Sequence, residues 1–130
     1  MGGMGALALY LKNPGKYRSV SCFSPISHPT NMEWGRNAFE QYLGSVEAGN
    51  GYDPTLLVSD YFGPKTKILF DQGSHDKFLA NLQPEKFLDA AHKAGLEVLY
   101  NFREGYGHDY FYVASFIENH IEFHSRYLNA

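Results

Sequence analysis

Helix-like and strand-like segments alternate along these 130 residues, and that alternation predicts an α/β fold with helices on the faces of a parallel sheet. Two further observations support it. The segment "TKILFDQG" has few polar interruptions around "ILF", as expected of a strand covered on both faces. Loops with ionisable residues, "DQGSHD" and "GYGHD", follow two of the strands, and α/β sheets collect functional side chains there.

Each element has a local reason. Residues 2–11 read as a tight turn feeding an Ala/Leu helix, which Asn13-Pro14-Gly15 stops. Residues 17–25, "YRSVSCFSP", alternate as a strand does, and "SHPTN" reads as a loop. "EWGRNAFEQYLG" is an amphipathic helix closed by Gly44, with Trp34, Phe39, Tyr42 and Leu43 as apolar anchors. A polar, Gly-rich loop, "SVEAGNGYD", precedes a short helix in "PTLLVSDY". After the "TKILFDQG" strand, "SHDKFLANLQ" reads as a loop with a half-turn. "PEKFLDAAHKAG" is a helix with Pro84 in its first turn and Gly95 at its end. "LEVLYNF" is the third strand, "REGYGHD" a loop, and "YFYVASFIENHIEFHSRYL" a long last helix with one apolar face.

Composition narrows the function. The apolar share is 44% and the aromatic share 16%, so the chain has the means to build a core rather than stay disordered. A formal net charge of −3 gives no basic footprint for nucleic acid or an anionic membrane. Cys22 is the single cysteine, which excludes an intrachain disulfide and fits a reducing compartment. No apolar run reaches the roughly 18 residues of a membrane span, and the first residues lack a basic signal-peptide region. The expectation is a soluble, cytoplasmic protein of one domain, residues 1–130.

Acid–base chemistry points to the two loops. His108 follows a strand and a Gly-X-Gly turn where the last helix begins, and histidine is the natural general base near neutral pH. Its alternative is a plain loop or capping histidine. A histidine base needs a carboxylate to fix its tautomer, and Asp71, Asp76 and Asp109 are available. Asp71 ends a strand, where it could cap the turn; Asp109 adjoins His108, so the two side chains diverge. Asp76 lies further out and is free to reach across, which makes it the best choice. Any of the three could instead simply form a turn.

The order Asp76…His108 on consecutive strand ends is that of a Ser…Asp…His triad, whose serine sits in G-x-S-x-G at a strand-to-helix elbow. No serine of the chain has that context. In an elbow written G-x-S-M-G-G, however, the serine is succeeded by "MGG" and a small-residue helix, and this chain opens on those residues. The nucleophile's expected place is therefore the position before Met1.

Taken together, "MGGMGALALYLKNPGKYRSVSCFSP", "WGRNAFEQYLG", "ILFDQGSHDKFL" and "EGYGHDYFYVASFIENHIEFHSRYLNA" resemble the C-terminal half of the S-formylglutathione hydrolase (esterase D) family. The resemblance runs in order over essentially the whole chain. It implies the C-terminal portion of an α/β-hydrolase fold, lacking the N-terminal strands and so leaving an apolar sheet edge unpaired. It implies hydrolysis of S-formylglutathione to formate and glutathione, in formaldehyde detoxification, and cleavage of simple carboxylic esters. Residue by residue, the triad acid matches Asp76, the triad base His108, and the first oxyanion donor the backbone N–H of Met1. No cofactor or metal is implied, the substrate is a small molecule, and family members are often homodimers. Without the serine the chain by itself is expected to be inactive. The alternative is a non-catalytic product that binds a full-length hydrolase subunit.

The remaining candidates weigh less. His120 and His124 are four apart on a helix, as zinc ligands often are, but "HIEFH" puts Glu in the wrong place for H-E-x-x-H; a solvated helix face is the expected reading. His75 borders the site and could touch substrate. His28 and His92 have no partner pattern. Trp34 reads as a packing anchor, with a place near the acyl pocket as its alternative, and Cys22 as a small core residue.

Overall fold

The computed structural model describes residues 1–129. Three parallel strands, β1 (Val20–Phe23), β2 (Ile68–Gly73) and β3 (Val98–Arg103), lie in the order β1-β2-β3. Val20 stands opposite Ile68, and Ile68 opposite Val98, so the strands start level and their C-terminal ends form one rim. The helices are α1 (Gly2–Lys12), α2 (Glu33–Leu43), α3 (Pro54–Ser59), α4 (Leu79–Leu82), α5 (Pro84–Lys93) and α6 (Tyr110–Leu128).

Strand alternation divides the chain's apolar residues between two layers. On one face Val20, Cys22, Ile68 and Phe70 pack with Leu7, Tyr10 and Leu11 of α1, Val58 of α3, and Phe87 and Ala91 of α5. On the other, Ser21 and Phe23 meet α6: the Phe23 ring stacks on His120 at 3.8 Å and meets Tyr112 edge-on at 5.6 Å. The central strand β2 is buried along its whole length, as its sequence predicts. Phe70 is fully buried between the Phe87 and Tyr100 rings. β1 pairs with β2 alone, so its other edge has no strand partner among the described residues.

Local chemistry sets the ends. Asp53 caps α3 through Thr55 N and Leu56 N, ahead of Pro54 in the first turn. Asp109 caps α6 through Tyr112 N at 2.8 Å. Gly44 closes α2 at φ 86°, a left-handed conformation that suits glycine.

The structure corrects several expectations. β1 is four residues rather than nine, because Ser24 turns to φ 46° and Pro25 has no N–H to continue a ladder. Short 3-10 turns occupy Pro29–Asn31 and Glu47–Tyr52, where loops were expected, and the half-turn expected after β2 is the four-residue helix α4. Of the α2 anchors only Phe39 is buried; Trp34, Tyr42 and Leu43 are exposed. His120 does not lie on a solvated face but is buried against β1.

Candidate active site

The rim of the sheet brings the two predicted loops together. After β2 and β3 the backbones interlock: Ser74 N donates to Arg103 O, His75 N to Tyr106 O, and Gly105 N to the Ser74 hydroxyl. Gly73 makes this possible, since a Cβ there would stand 2.3 Å from Tyr106 O. Gly105 takes φ 85° to turn the second loop back toward the first.

That scaffold sets His108 Nδ1 2.7 Å from Asp76 Oδ2. Asp76 is buried, and His108 keeps over a third of its side chain exposed. The carboxylate is held on both oxygens. Phe78 N donates to Oδ1 at 2.8 Å, and Gln72 Nε2 donates to Oδ2 at 3.1 Å. With Nδ1–H committed to the carboxylate, Nε2 is the face of the imidazole left for chemistry. The Phe78 ring meets His108 edge-on, and Trp34 meets Phe78 in turn.

A cavity of about 350 Å³ opens beside this pair, lined by Phe23, Ser24, His108, Asp109, Tyr110, Tyr112 and Val113. Ser24 is buried in its left-handed conformation, and its hydroxyl bonds the Tyr112 hydroxyl at 3.2 Å. Burial pushes the Tyr112 phenol above its usual range, so it stays a neutral hydrogen-bonding group. The first turn of α1 approaches from the β1 side. Gly3 lies so close to Phe23 O and Pro25 that a Cβ would not fit. Met1 is the N-cap of α1, so the positive end of that helix is next to the residues that line the cavity.

The other candidate acids separate cleanly. Asp109 is spent on capping α6. Asp71 is fully buried, not a turn former, and receives Asn101 Nδ2 and Arg103 Nε, each at 3.0 Å. Burial alone would raise its carboxyl; these bonds and the neighbouring His120 outweigh it and hold Asp71 below the usual carboxylate range. His120 Nε2 lies 3.7 Å from Asp71 Oδ1, beyond hydrogen-bond reach, so Asn101 and Arg103 are its direct partners.

His120 and His124 form no metal cluster among the described residues. Instead both bond the Ser21 hydroxyl, and His124 also bonds Ser19. Burial first, and the adjacent His120 second, lower the proton affinity of His124. His75 is exposed on the loop tip. His28 has a partner that the sequence did not reveal: Asp53 Oδ2 at 2.8 Å, part of a fully buried carboxylate that also holds Thr30. Cys22 is buried, and burial with the nearby Asp71 charge keeps its thiol protonated. Gln72 was not singled out either. Its signal was a long polar side chain inside a strand that otherwise reads as covered on both faces.

A histidine–carboxylate pair at the strand-end rim of a parallel sheet is an arrangement that α/β-hydrolases use. The Esterase family model, described as "Putative esterase", matches residues 1–123, and the chain belongs to this family. It is similar to the S-formylglutathione hydrolase of Rattus norvegicus, 49% identical over 133 residues that cover 100% of this chain and 47% of the relative. The S-formylglutathione hydrolase of Arabidopsis thaliana is 45% identical, over 98% of this chain and 46% of its own length. Among solved structures, an S-formylglutathione hydrolase from Agrobacterium tumefaciens superposes with a TM-score of 0.90 at 33% identity, covering 98% of this chain and 46% of that one. The chain spans about half the length of the curated relatives it matches. The fold is therefore that of the α/β-hydrolases, as expected. No helix among the described residues is long and apolar enough to cross a membrane.

Proposed function

We propose that this chain supplies the acid and base of a serine hydrolase that cleaves S-formylglutathione to formate and glutathione and also accepts simple carboxylic esters. The observation that carries the reading is the 2.7 Å bond between His108 Nδ1 and the buried Asp76 carboxylate, beside an open cavity. The names of the relatives supply the substrate class. Asp76 and His108 are the proposed catalytic residues, with the backbone N–H of Met1 as oxyanion donor.

In this reading the nucleophilic serine belongs to the part of the relatives that this chain does not span. His108 Nε2 takes the serine proton as the oxygen attacks the formyl carbonyl. Asp76 holds the ring and stabilises its cation. The Met1 amide, at the start of α1, donates to the developing oxyanion, where a preorganised donor contributes about 2.7–4 kcal/mol. The C–S bond breaks, and His108 returns the proton to the glutathione thiolate. Water then adds to the formyl-serine ester with His108 again as base, and formate leaves as serine recovers its proton. A homodimer and a cytoplasmic location belong to the same reading.

The test uses this chain joined behind the upstream half of the rat relative, so that the elbow is complete. The joined protein should hydrolyse S-formylglutathione and p-nitrophenyl acetate. Asp76→Asn should lower turnover by about ten-thousandfold, and His108→Ala by about a millionfold. Near-normal turnover in His108→Ala would refute the assignment.

A further inference from the structure

Gln72 is the one polar side chain on β2 that packing does not explain. It is fully buried in the central strand, where an apolar residue would cost nothing in unmet hydrogen bonds. Its amide nitrogen makes two bonds, to Gly73 O and to Asp76 Oδ2, both at 3.1 Å. Its Oε1 is buried without a partner. Both bonding partners are acceptors, so only the nitrogen end can face them, and the orphaned oxygen results from that orientation. A buried acceptor left unpaired is unfavourable. Such a residue persists where its other end does something that an apolar side chain cannot.

We propose that Gln72 is a positioning residue for the Asp76–His108 pair. Its Nε2–H completes a three-donor cradle around the Asp76 carboxylate, with Phe78 N on Oδ1 and His108 Nδ1 on Oδ2. Two donors share Oδ2, so the Gln72 bond fixes which way that oxygen points and draws off part of its charge. The carboxylate then aims the imidazole without holding its proton too strongly. The anchor is rigid because Gln72 sits in the sheet, paired with Phe102 in register, whereas Asp76 and His108 ride on loops. Of the charged and titratable neighbours, His75, Lys77, Glu104 and Asp109 in those loops are exposed and solvent-screened, Tyr106 is half-buried, Tyr112 is buried with its phenol held neutral, and Asp71 on β2 is paired with Arg103. Gln72 acts from within the buried side of the site.

The inference rests on the proposed role of Asp76 and His108. Its experiment therefore reads the pair both with and without turnover, in the same joined protein. Gln72→Met removes the donor at similar volume, and Gln72→Leu removes it with a second apolar side chain of nearly the same size. Each should lower kcat for p-nitrophenyl acetate by about tenfold or more with KM within twofold. Each should also move the acid limb of kcat/KM to higher pH, because less of the Asp76 charge is drawn away from the imidazolium. In the resting protein, the low-field Nδ1–H proton resonance of His108 should shift in both variants. Folded variants with the wild-type acid limb, kcat and Nδ1–H resonance would overturn the role. Loss of fold in Gln72→Met leaves Gln72→Leu to decide. An inactive parent with a shifted Nδ1–H resonance would sink the hydrolase reading and retain the positioning role.

Discussion

Gly2 and Gly3 are neighbours on α1, and the structure gives them opposite tolerances. A Cβ on Gly2 meets nothing within 4 Å. A Cβ on Gly3 would lie 2.7 Å from Phe23 O and 3.1 Å from Pro25 Cα. Both obstacles are backbone, so a side chain cannot swing aside. The Phe23 contact is about 0.7 Å inside ordinary van der Waals distance, and α1 must move away from the end of β1 by about that much. Overpacking of this kind costs about 1–3 kcal/mol. Alanine gains up to about 1 kcal/mol of helix propensity over glycine at either position, so Gly2→Ala controls for that gain. In the joined protein, Gly3→Ala should lower the urea midpoint relative to Gly2→Ala by the equivalent of about 1–3 kcal/mol. The same displacement moves the Met1 amide relative to His108. A 1 Å misplacement can cost about a hundredfold in rate, so kcat for S-formylglutathione should fall roughly ten- to a hundredfold with KM little changed. If Gly3→Ala matches Gly2→Ala in both midpoint and kcat, α1 is not seated against β1 as described, and the proposed oxyanion role of Met1 goes with it.

Two further predictions concern pH. Asp71 is held below the usual carboxylate range, so its stabilisation is present above the unfolded value of about 3.9 and is lost as pH falls through the folded one. Asp71→Asn should therefore flatten acid unfolding below about pH 4. At pH 7 it should cost toward the low end of about 3–5 kcal/mol, because Arg103 keeps part of its side chain in water; an unchanged urea midpoint at both pH values would contradict the network. His124 shifts the other way in charge, since its neutral form is favoured on folding. Its stabilisation is complete above the unfolded value of 6.5 and declines as pH falls below it, until the folded value is passed. His124→Gln should remove that decline below about pH 6.5 in a series of thermal melts, and a wild-type pH dependence in the variant would exclude His124 as its source.

Much of the site was legible because it is written in order along the chain. Asp76 and His108 each follow a strand, and parallel strands deliver their following loops to one rim. Asp76 could be preferred over Asp109 because adjacent side chains diverge, and Asp109 is indeed turned to cap α6. Asp71 was harder. Its burial depends on Asn101 and Arg103, which lie thirty or more residues away on the next strand. No local pattern marks such a pairing.

What the sequence determined by itself was the set of properties carried by short-range periodicity and by order. These are the α/β alternation, the buried central strand, most helix limits, and the two loops that bring Asp76 and His108 together. Tertiary structure alone decided what depends on contacts across the sheet. It turned His120 from a solvated helix position into a residue buried on Phe23, left Trp34 exposed beside Phe78, and gave His28 the Asp53 carboxylate. It also put Ser24 in a left-handed turn that ends β1 early, and aimed the Gln72 amide at Asp76. The physical reason is common to all of these. A side chain's burial and partner are set by whichever element packs over it, and residues far apart in the chain make that contact only after the sheet has formed.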